Sequence, residues 1–443
     1  MIPPVVVEPA FAVVTVPSGV VAMRSALAPG VVSFRASLPV ETVAGSADDL
    51  ALALAVRLLD KGTTARSRHD IAEWLDARGA SLSFSSHGDR VGISGRALRG
   101  DLAGVLALAA EQLAGPLFDA AEVDKARARL LASVKSAEDD PGAHADGLLH
   151  RALFPPAHPG YSRTFAGTSA ILAGLTRADV VRTQALGLAD APVTLALGGD
   201  VAGLDLAALT APFGVRARAV PDPDVPAPLD GPSAGDAAMR LSSVVPGTAS
   251  ADVRLGHALT LRRGDADYLA LRVAVFALGG NFSSRLMQTV RDRDGLTYGI
   301  HAHLDGIDAR HGGHVEVGVT LSPEHLERGI ETTRREVEGF AREGVAAADV
   351  ARVAATLGGQ QRVGLSTSGG AAAAQLSALE QRLGADYPDR FAALVAALTA
   401  DEVNAALARH LDPSRLVTTL AGPVGAISSG QASSGVQGGV SPS

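Results

Sequence analysis

At 443 residues the chain is long enough for two or more domains with separate cores, and its 47% of apolar residues supply the material, mainly Ala, Val and Leu because aromatics are only 4%. A net charge of −8 offers no basic face for nucleic acid and no polybasic membrane anchor. The absence of cysteine excludes disulfides, thiolate metal sites and a cysteine nucleophile. With no leader after Met1-Ile2-Pro3-Pro4 and charges such as Arg57 and Asp60 interrupting the apolar stretches, the expectation is a cytoplasmic protein with no membrane segment.

Residues 11–40 alternate apolar and small polar side chains between turn signals and predict three strands. A helix is expected from about Ala47 to Leu59 with Ser46 at its N-cap, and another from Ser67 to Ala77. Ser81–Ser86 and Arg90–Gly95 read as a hairpin around His87-Gly88-Asp89. Helices over about 99–114, 119–137 and 143–152, an irregular stretch from Phe154 to Thr168, a helix over 176–187 and a strand from Val193 to Gly198 complete the first half. Arg216 to Gly235 holds five prolines and reads as part of a linker over 216–236.

Strands follow at about 238–245 and 250–260, helices at 265–278 and 283–293, and strands at 296–304 and 312–321. Helices at 323–343, 347–360, 369–383, 387–396 and 399–410 lead to a last strand, Leu416 to Ala421, and a Ser/Gly/Gln-rich tail over 426–443 that is expected to be disordered. Strands first and helices after, joined by hairpins, indicate an α+β class with antiparallel sheets.

Three landmarks occur twice in the same order, roughly 220 residues apart, too long a period for a solenoid. Arg78-Gly79-Ala80-Ser81-Leu82 and Asp294-Gly295-Leu296-Thr297-Tyr298 each end a helix and open a strand. Ala120-Ala121-Glu122-Val123 and Ala347-Ala348-Asp349-Val350 each start a helix. Leu175-Thr176 precedes Gly199-Asp200-Val201 as Leu398-Thr399 precedes Gly422-Pro423-Val424. The chain therefore reads as a duplicated domain, 1–215 and 237–425.

His301, His303, Asp305, Asp308, His311 and His314 are the densest group of potential ligands; they are expected to be exposed polar residues of a hairpin rather than a metal site. His144 and His150 are expected on a helix surface. Ser366-Thr367-Ser368-Gly369-Gly370 lacks the Gly-Lys-Thr of a phosphate loop and reads as a helix break.

Gly280-Asn281-Phe282-Ser283-Ser284-Arg285-Leu286, followed by Arg291 and Gly295-Leu296-Thr297-Tyr298, resembles the C-terminal half of a pitrilysin-type metallopeptidase, the inverzincin family that includes the mitochondrial processing peptidases. Lys61-Gly62-Thr63, Asp139-Asp140-Pro141 and His158-Pro159-Gly160-Tyr161 resemble its N-terminal half. The resemblance implies two homologous domains, each a sheet packed with helices, forming half of a bilobal clamshell. Active members carry His-x-x-Glu-His on a helix before the Lys-Gly-Thr turn, two zinc ligands flanking a general base. Here that place is taken by Ala53-Leu54-Ala55-Val56-Arg57, and a third carboxylate ligand expected about 80 residues on falls near Ser133. No metal ligand set is therefore expected in this chain.

The family's substrate-binding Arg and Tyr, by contrast, match Arg291 and Tyr298, whose guanidinium and phenol suit a peptide carbonyl or oxyanion. Gly279, Gly280, Asn281 and Arg285 are expected to approach the substrate. The resemblance implies a non-catalytic subunit that completes the site of a zinc-bearing homologous peptidase acting on peptides, the zinc being held by the partner. A structural or assembly protein and a peptide-binding homodimer on the same fold are the alternatives.

Overall fold

The computed structural model describes residues 11–25, 29–40, 46–87, 90–183, 191–216, 225–229 and 239–423. In chain order the first half holds β1 (Phe11–Val16), β2 (Gly19–Ser25), β3 (Val31–Pro39), α1 (Ala47–Val56), α2 (Arg68–Asp76), β4 (Ser81–His87), β5 (Arg90–Leu98), α3 (Leu102–Ala114), α4 (Ala120–Ala137), α5 (Pro141–Leu153), α6 (Phe165–Gly174), α7 (Arg177–Thr183), β6 (Val193–Gly199) and α8 (Leu206–Thr210). The second half holds β7 (Arg240–Val244), β8 (Ala251–Ala258), α9 (Tyr268–Gly279), β9 (Ile300–Asp305), β10 (His314–Leu321), α10 (Leu326–Glu343), α11 (Ala347–Leu365), α12 (Ser368–Glu380), α13 (Tyr387–Ala396), α14 (Ala400–His410) and β11 (Val417–Gly422). The expected linker lies largely outside the described residues, as does the whole of 426–443. Among the described residues no single helix is long and apolar enough to cross a membrane.

The class is α+β, with two sheets packed against helices. The first sheet runs β1-β2-β6-β3-β5-β4 and the second β7-β11-β8-β10-β9. Apart from the extra edge strand β1, the two orders correspond strand for strand. Neither sheet is purely antiparallel as expected, because β2 pairs β6 and β7 pairs β11 in parallel.

The repeated landmarks have local causes. Gly79 and Gly295 both end a helical segment at positive φ, 57° and 63°, where a side chain would be strained. Thr176 and Asp179 exchange hydrogen bonds at the start of α7, and Thr399 and Glu402 form a capping box on α14, so the recurring Leu-Thr marks two equivalent helix starts.

The compact units do not follow the ranges 1–215 and 237–425. One unit comprises Met1–Ala132, Ala166–Val225 and Ala354–Ala397, and the other Ser133–Phe165, Pro226–Val353 and Leu398–Ser443. Helix α5, written in the first half, lies on β11, β8 and β7. It buries Ala145, Leu149 and Leu153, one face of the helix, among Val245, Ala258, Val417 and Ala421. Polar ties reinforce it: Arg254 Nε donates to Asp146 (2.6 Å) and Thr419 Oγ1 to the Ala145 carbonyl (2.8 Å).

Its counterpart α12, written in the second half, lies on β6, β3 and β2. Thr367 caps its start by accepting from Gly370 N (3.0 Å), which is the structural role of the predicted helix break. The approach is close enough that a Cβ on Gly198 of β6 would stand 2.2 Å from the Ser368 carbonyl oxygen. Amphipathic periodicity shows which face of α5 is apolar, but not which sheet that face covers.

Separately expressed fragments 1–215 and 237–425 each lack the helix that covers their sheet. Each is expected to unfold without a cooperative transition and to bind a hydrophobic dye, whereas co-expression restores a cooperative melt. A fragment 237–425 that melts cooperatively alone would show that α5 is dispensable to its sheet.

Candidate functional site

In the first unit, α1 buries Ala51, Leu52, Leu54, Ala55 and Val56 and ends at the exposed Arg57. Val56 and Arg57 line a cavity of about 230 Å³ together with Asp60, Lys61, Phe84, Glu122 and Arg129. The residues of α4 that reach it are Glu122, Ala126 and Arg129, one helical face. Ser133, the sequence-based position for a third ligand, is exposed and is not part of that lining.

The donor set does not fit zinc. No imidazole or thiolate lines the cavity, and its cations outnumber its carboxylates. Lys61 Nζ is taken by Asp60 (2.7 Å), and Glu122 is held below the usual carboxylate range first by its hydrogen bond from Lys125.

In the second unit, Met287–Arg293 forms a π-helical turn rather than the expected α-helix. Its wider winding is closed by Asp294 N donating to the Thr289 carbonyl (3.0 Å). Gly295 reverses the chain, and the buried Leu296 anchors it. Thr297 Oγ1 donates to the Thr320 carbonyl of β10 (2.7 Å). Tyr298 is thereby presented almost bare, 98% exposed.

Arg291 Nε donates to the Tyr298 carbonyl (3.0 Å) and Nη1 to Asp292 (2.7 Å), leaving Nη2 unengaged among the described residues. Phe282, 79% exposed, places its ring 5.9 Å from the Arg291 guanidinium. The fold therefore joins Arg291 to the Tyr298 main chain and adds an exposed aromatic. Sequence reasoning assigns Phe282 no role; its signal is an apolar side chain among polar ones, just before a helical segment.

The other sequence-predicted residues have structural partners. Arg285 Nε donates to Glu336 (3.0 Å) and Nη1 to Glu343 (2.7 Å), tying its segment to α10. A Cβ on Gly279 would stand 2.2 Å from Ala302 N, and one on Gly280 2.5 Å from the Phe276 ring, so close packing requires both glycines. Asn281 Oδ1 accepts from Ser283 N (3.0 Å), which shapes the turn.

Two family descriptions match the chain. Residues 54–164 match Insulinase (Peptidase family M16) and residues 237–357 match the Peptidase M16 inactive domain, together more than half its length. The chain belongs to the peptidase M16 family. An uncharacterized zinc protease of Streptomyces coelicolor is 27% identical over 377 residues, covering 83% of this chain and 79% of that protein. One from Mycobacterium tuberculosis is 29% identical over 386 residues, covering 87% and 85%.

Among solved structures, a peptidase M16 inactive domain from Pseudomonas fluorescens superposes with a TM-score of 0.80 at 21% identity, covering 94% of this chain and 99% of that one. A periplasmic protease from Escherichia coli gives a TM-score of 0.76 at 14% identity, covering 94% of this chain and 46% of that one. The inactive-domain description falls on the second half of the chain, whereas the position of the zinc motif, 53–57, lies at the start of the first match.

His301 and His303 of this M16 chain are exposed as expected, but His314 is not. Strand β10 lies between β8 and β9, so the hairpin tip is clamped: His314 is 2% and Glu316 5% exposed. His150, expected on a helix surface, is half-buried with its ring 5.0 Å from that of His314. Burial works to raise the Glu316 carboxyl, but His314 and Arg254 outweigh it and hold it below its usual range.

Two further histidines are buried in neutral form. His158 stacks on Phe154 at 4.4 Å, and its Nδ1 accepts from Gly160 N. His257 Nε2 accepts from Asp412 N (3.2 Å). Burial pushes both down to about 4 from 6.5.

Their unfolded forms bind more protons between pH 6.5 and 4, so the stability they contribute is present above 6.5 and is lost as pH falls toward 4. Each such shift corresponds to about 3 kcal/mol. Urea denaturation of the metal-free chain should show this loss, and His257→Gln should flatten part of the slope. A pH-independent midpoint over that window would contradict the neutral burial.

Proposed function

We propose that this chain is the non-catalytic subunit of a two-chain M16 peptidase, pairing with a zinc-bearing homologue and supplying Arg291 and Tyr298 to peptide substrates. One asymmetry carries the reading. The unit that should hold the metal presents Val56 and Arg57 where base and ligand belong, while the other unit presents an exposed Tyr298 beside a guanidinium with a donor to spare. Such donors suit a peptide held beside a metal that a partner provides.

The sizes of solved relatives support the reading. This chain covers only 46% of the Escherichia coli periplasmic protease and 44% of a ferredoxin protease solved in complex with Arabidopsis ferredoxin, so each has room for a second half of similar size. Arg291 would donate to the peptide carbonyl, and the Tyr298 hydroxyl would add a neutral donor as oxyanion charge develops. Phe282 and Tyr298 supply exposed aromatic surface for side chains of the peptide.

Alone, the chain is expected to cleave no peptide with or without added zinc; hydrolysis by the isolated chain that zinc restores after chelation would overturn the reading. Mixed with a zinc-bearing M16 homologue encoded beside it, the chain is expected to co-elute as a complex with peptidase activity. Arg291→Ala or Tyr298→Phe should then lower kcat/KM by about tenfold to a thousandfold. Tyr298 is exposed, so Tyr298→Phe should barely move the melting temperature. Unchanged kinetics in both variants would leave the pair without a role in the reaction.

A further inference from the structure

The least explained side chain in the second unit is His314. It is 2% exposed, and neither Nδ1 nor Nε2 has a hydrogen-bond partner. Each polar atom left dry in this way costs about 1–3 kcal/mol. A group missing from the protein chain itself is the simplest remedy.

The surroundings have the chemistry of a cation site. His314 and Glu316 are two residues apart on β10 and share one face. Helix α5 docks on the same sheet through Leu149 and Leu153 and carries His150 to the His314 ring. One donor atom each from His150, His314 and Glu316 lies within 4.8 Å of the other two. Arg254 stands 3.3 Å from one Glu316 oxygen but is also matched by Asp146 and Asp252, so the carboxylate keeps charge to offer. The second Glu316 oxygen faces His314 Nε2 at 3.5 Å, too long for a hydrogen bond and open to an intervening ion.

We propose that His150, His314 and Glu316 form a binding site for zinc or a similar borderline divalent cation, with water filling the remaining position. Two imidazoles and a carboxylate are a common ligand set for such ions, at bond lengths of about 2.0–2.2 Å. Drawing the donors from their present separation to that geometry takes small side-chain movements. Burial favours the neutral imidazole that His150 must present as a ligand. The role is structural: the ion pins α5, the helix exchanged from the first half of the sequence, to β10. All three ligands belong to the second unit, whereas the family's zinc motif position lies in the first. A second group, His301, His303 and Glu316, shares the carboxylate, but both of its histidines are exposed.

The test is zinc titration of the chelator-stripped full-length chain by calorimetry, with metal content by elemental analysis after dialysis. One zinc per chain is expected, with a rise in melting temperature of several degrees. A cobalt-substituted chain should show the d–d absorption of a four- or five-coordinate ion with nitrogen and oxygen ligands. His150→Ala, at a half-buried helix position, should keep the far-ultraviolet circular dichroism and lose at least tenfold in affinity. His314→Gln should do the same; if it unfolds, the cobalt spectrum of the natural chain and His150→Ala still decide. The proposal is overturned if the natural chain binds no zinc. It is equally overturned if binding survives His150→Ala and is lost only in the His301→Ala/His303→Ala double variant.

Discussion

Helix α5 covers a sheet that belongs to the other half of the sequence, and α12 does the same in the opposite sense. Everything else in the fold is arranged around that exchange. The apolar face of α5, Ala145, Leu149 and Leu153, is what makes β7, β11 and β8 the floor of a core rather than an open sheet. Burying the two leucines stabilises by about 1.5–3 kcal/mol each, so the sheet loses a large share of its margin without them. The glycine at position 198 exists because α12 approaches β6 too closely for any Cβ. Duplication supplied two equivalent helices, and each unit was completed with the other's copy.

The same duplication separates the two kinds of chemistry. The α1 end in the first unit holds an arginine and aliphatic residues where the family's metal-binding members need imidazoles and a carboxylate. A divalent ion placed there would face the charges of Arg57 and Arg129, with both carboxylates, Asp60 and Glu122, already engaged by lysines. In the second unit the Gly-Leu-Thr-Tyr turn is intact in every mechanical part: a glycine at positive φ, a buried leucine, a threonine tied to β10 and a tyrosine released to solvent.

Much of this was legible in the sequence, and the reasons differ from one residue to the next. The order of elements follows from local periodicity and caps, which are short-range properties. Missing ligands are visible because metal chemistry tolerates few residue types. Arg285 and Gly279 have partners inside the chain, Glu336, Glu343 and Ala302, that are distant in sequence and brought near by folding, and a motif does not show whether a residue binds a ligand or its own protein. His301 and His303 are exposed as expected on the edge strand β9, but His314 opens the inner strand β10 beneath His150 of α5, a neighbour that hairpin periodicity does not reveal.

By itself the sequence determined the duplication, the class of fold, the emptied zinc motif and the Arg291–Tyr298 frame, because each is written in residues that are neighbours along the chain or in a fixed spacing. Only the tertiary structure decided which sheet each exchanged helix covers, which face of α4 lines the cavity at the end of α1, and that His150, His314 and Glu316 converge. Those outcomes depend on packing between segments far apart in the sequence, and amphipathic patterns carry no record of the partner they will bury against.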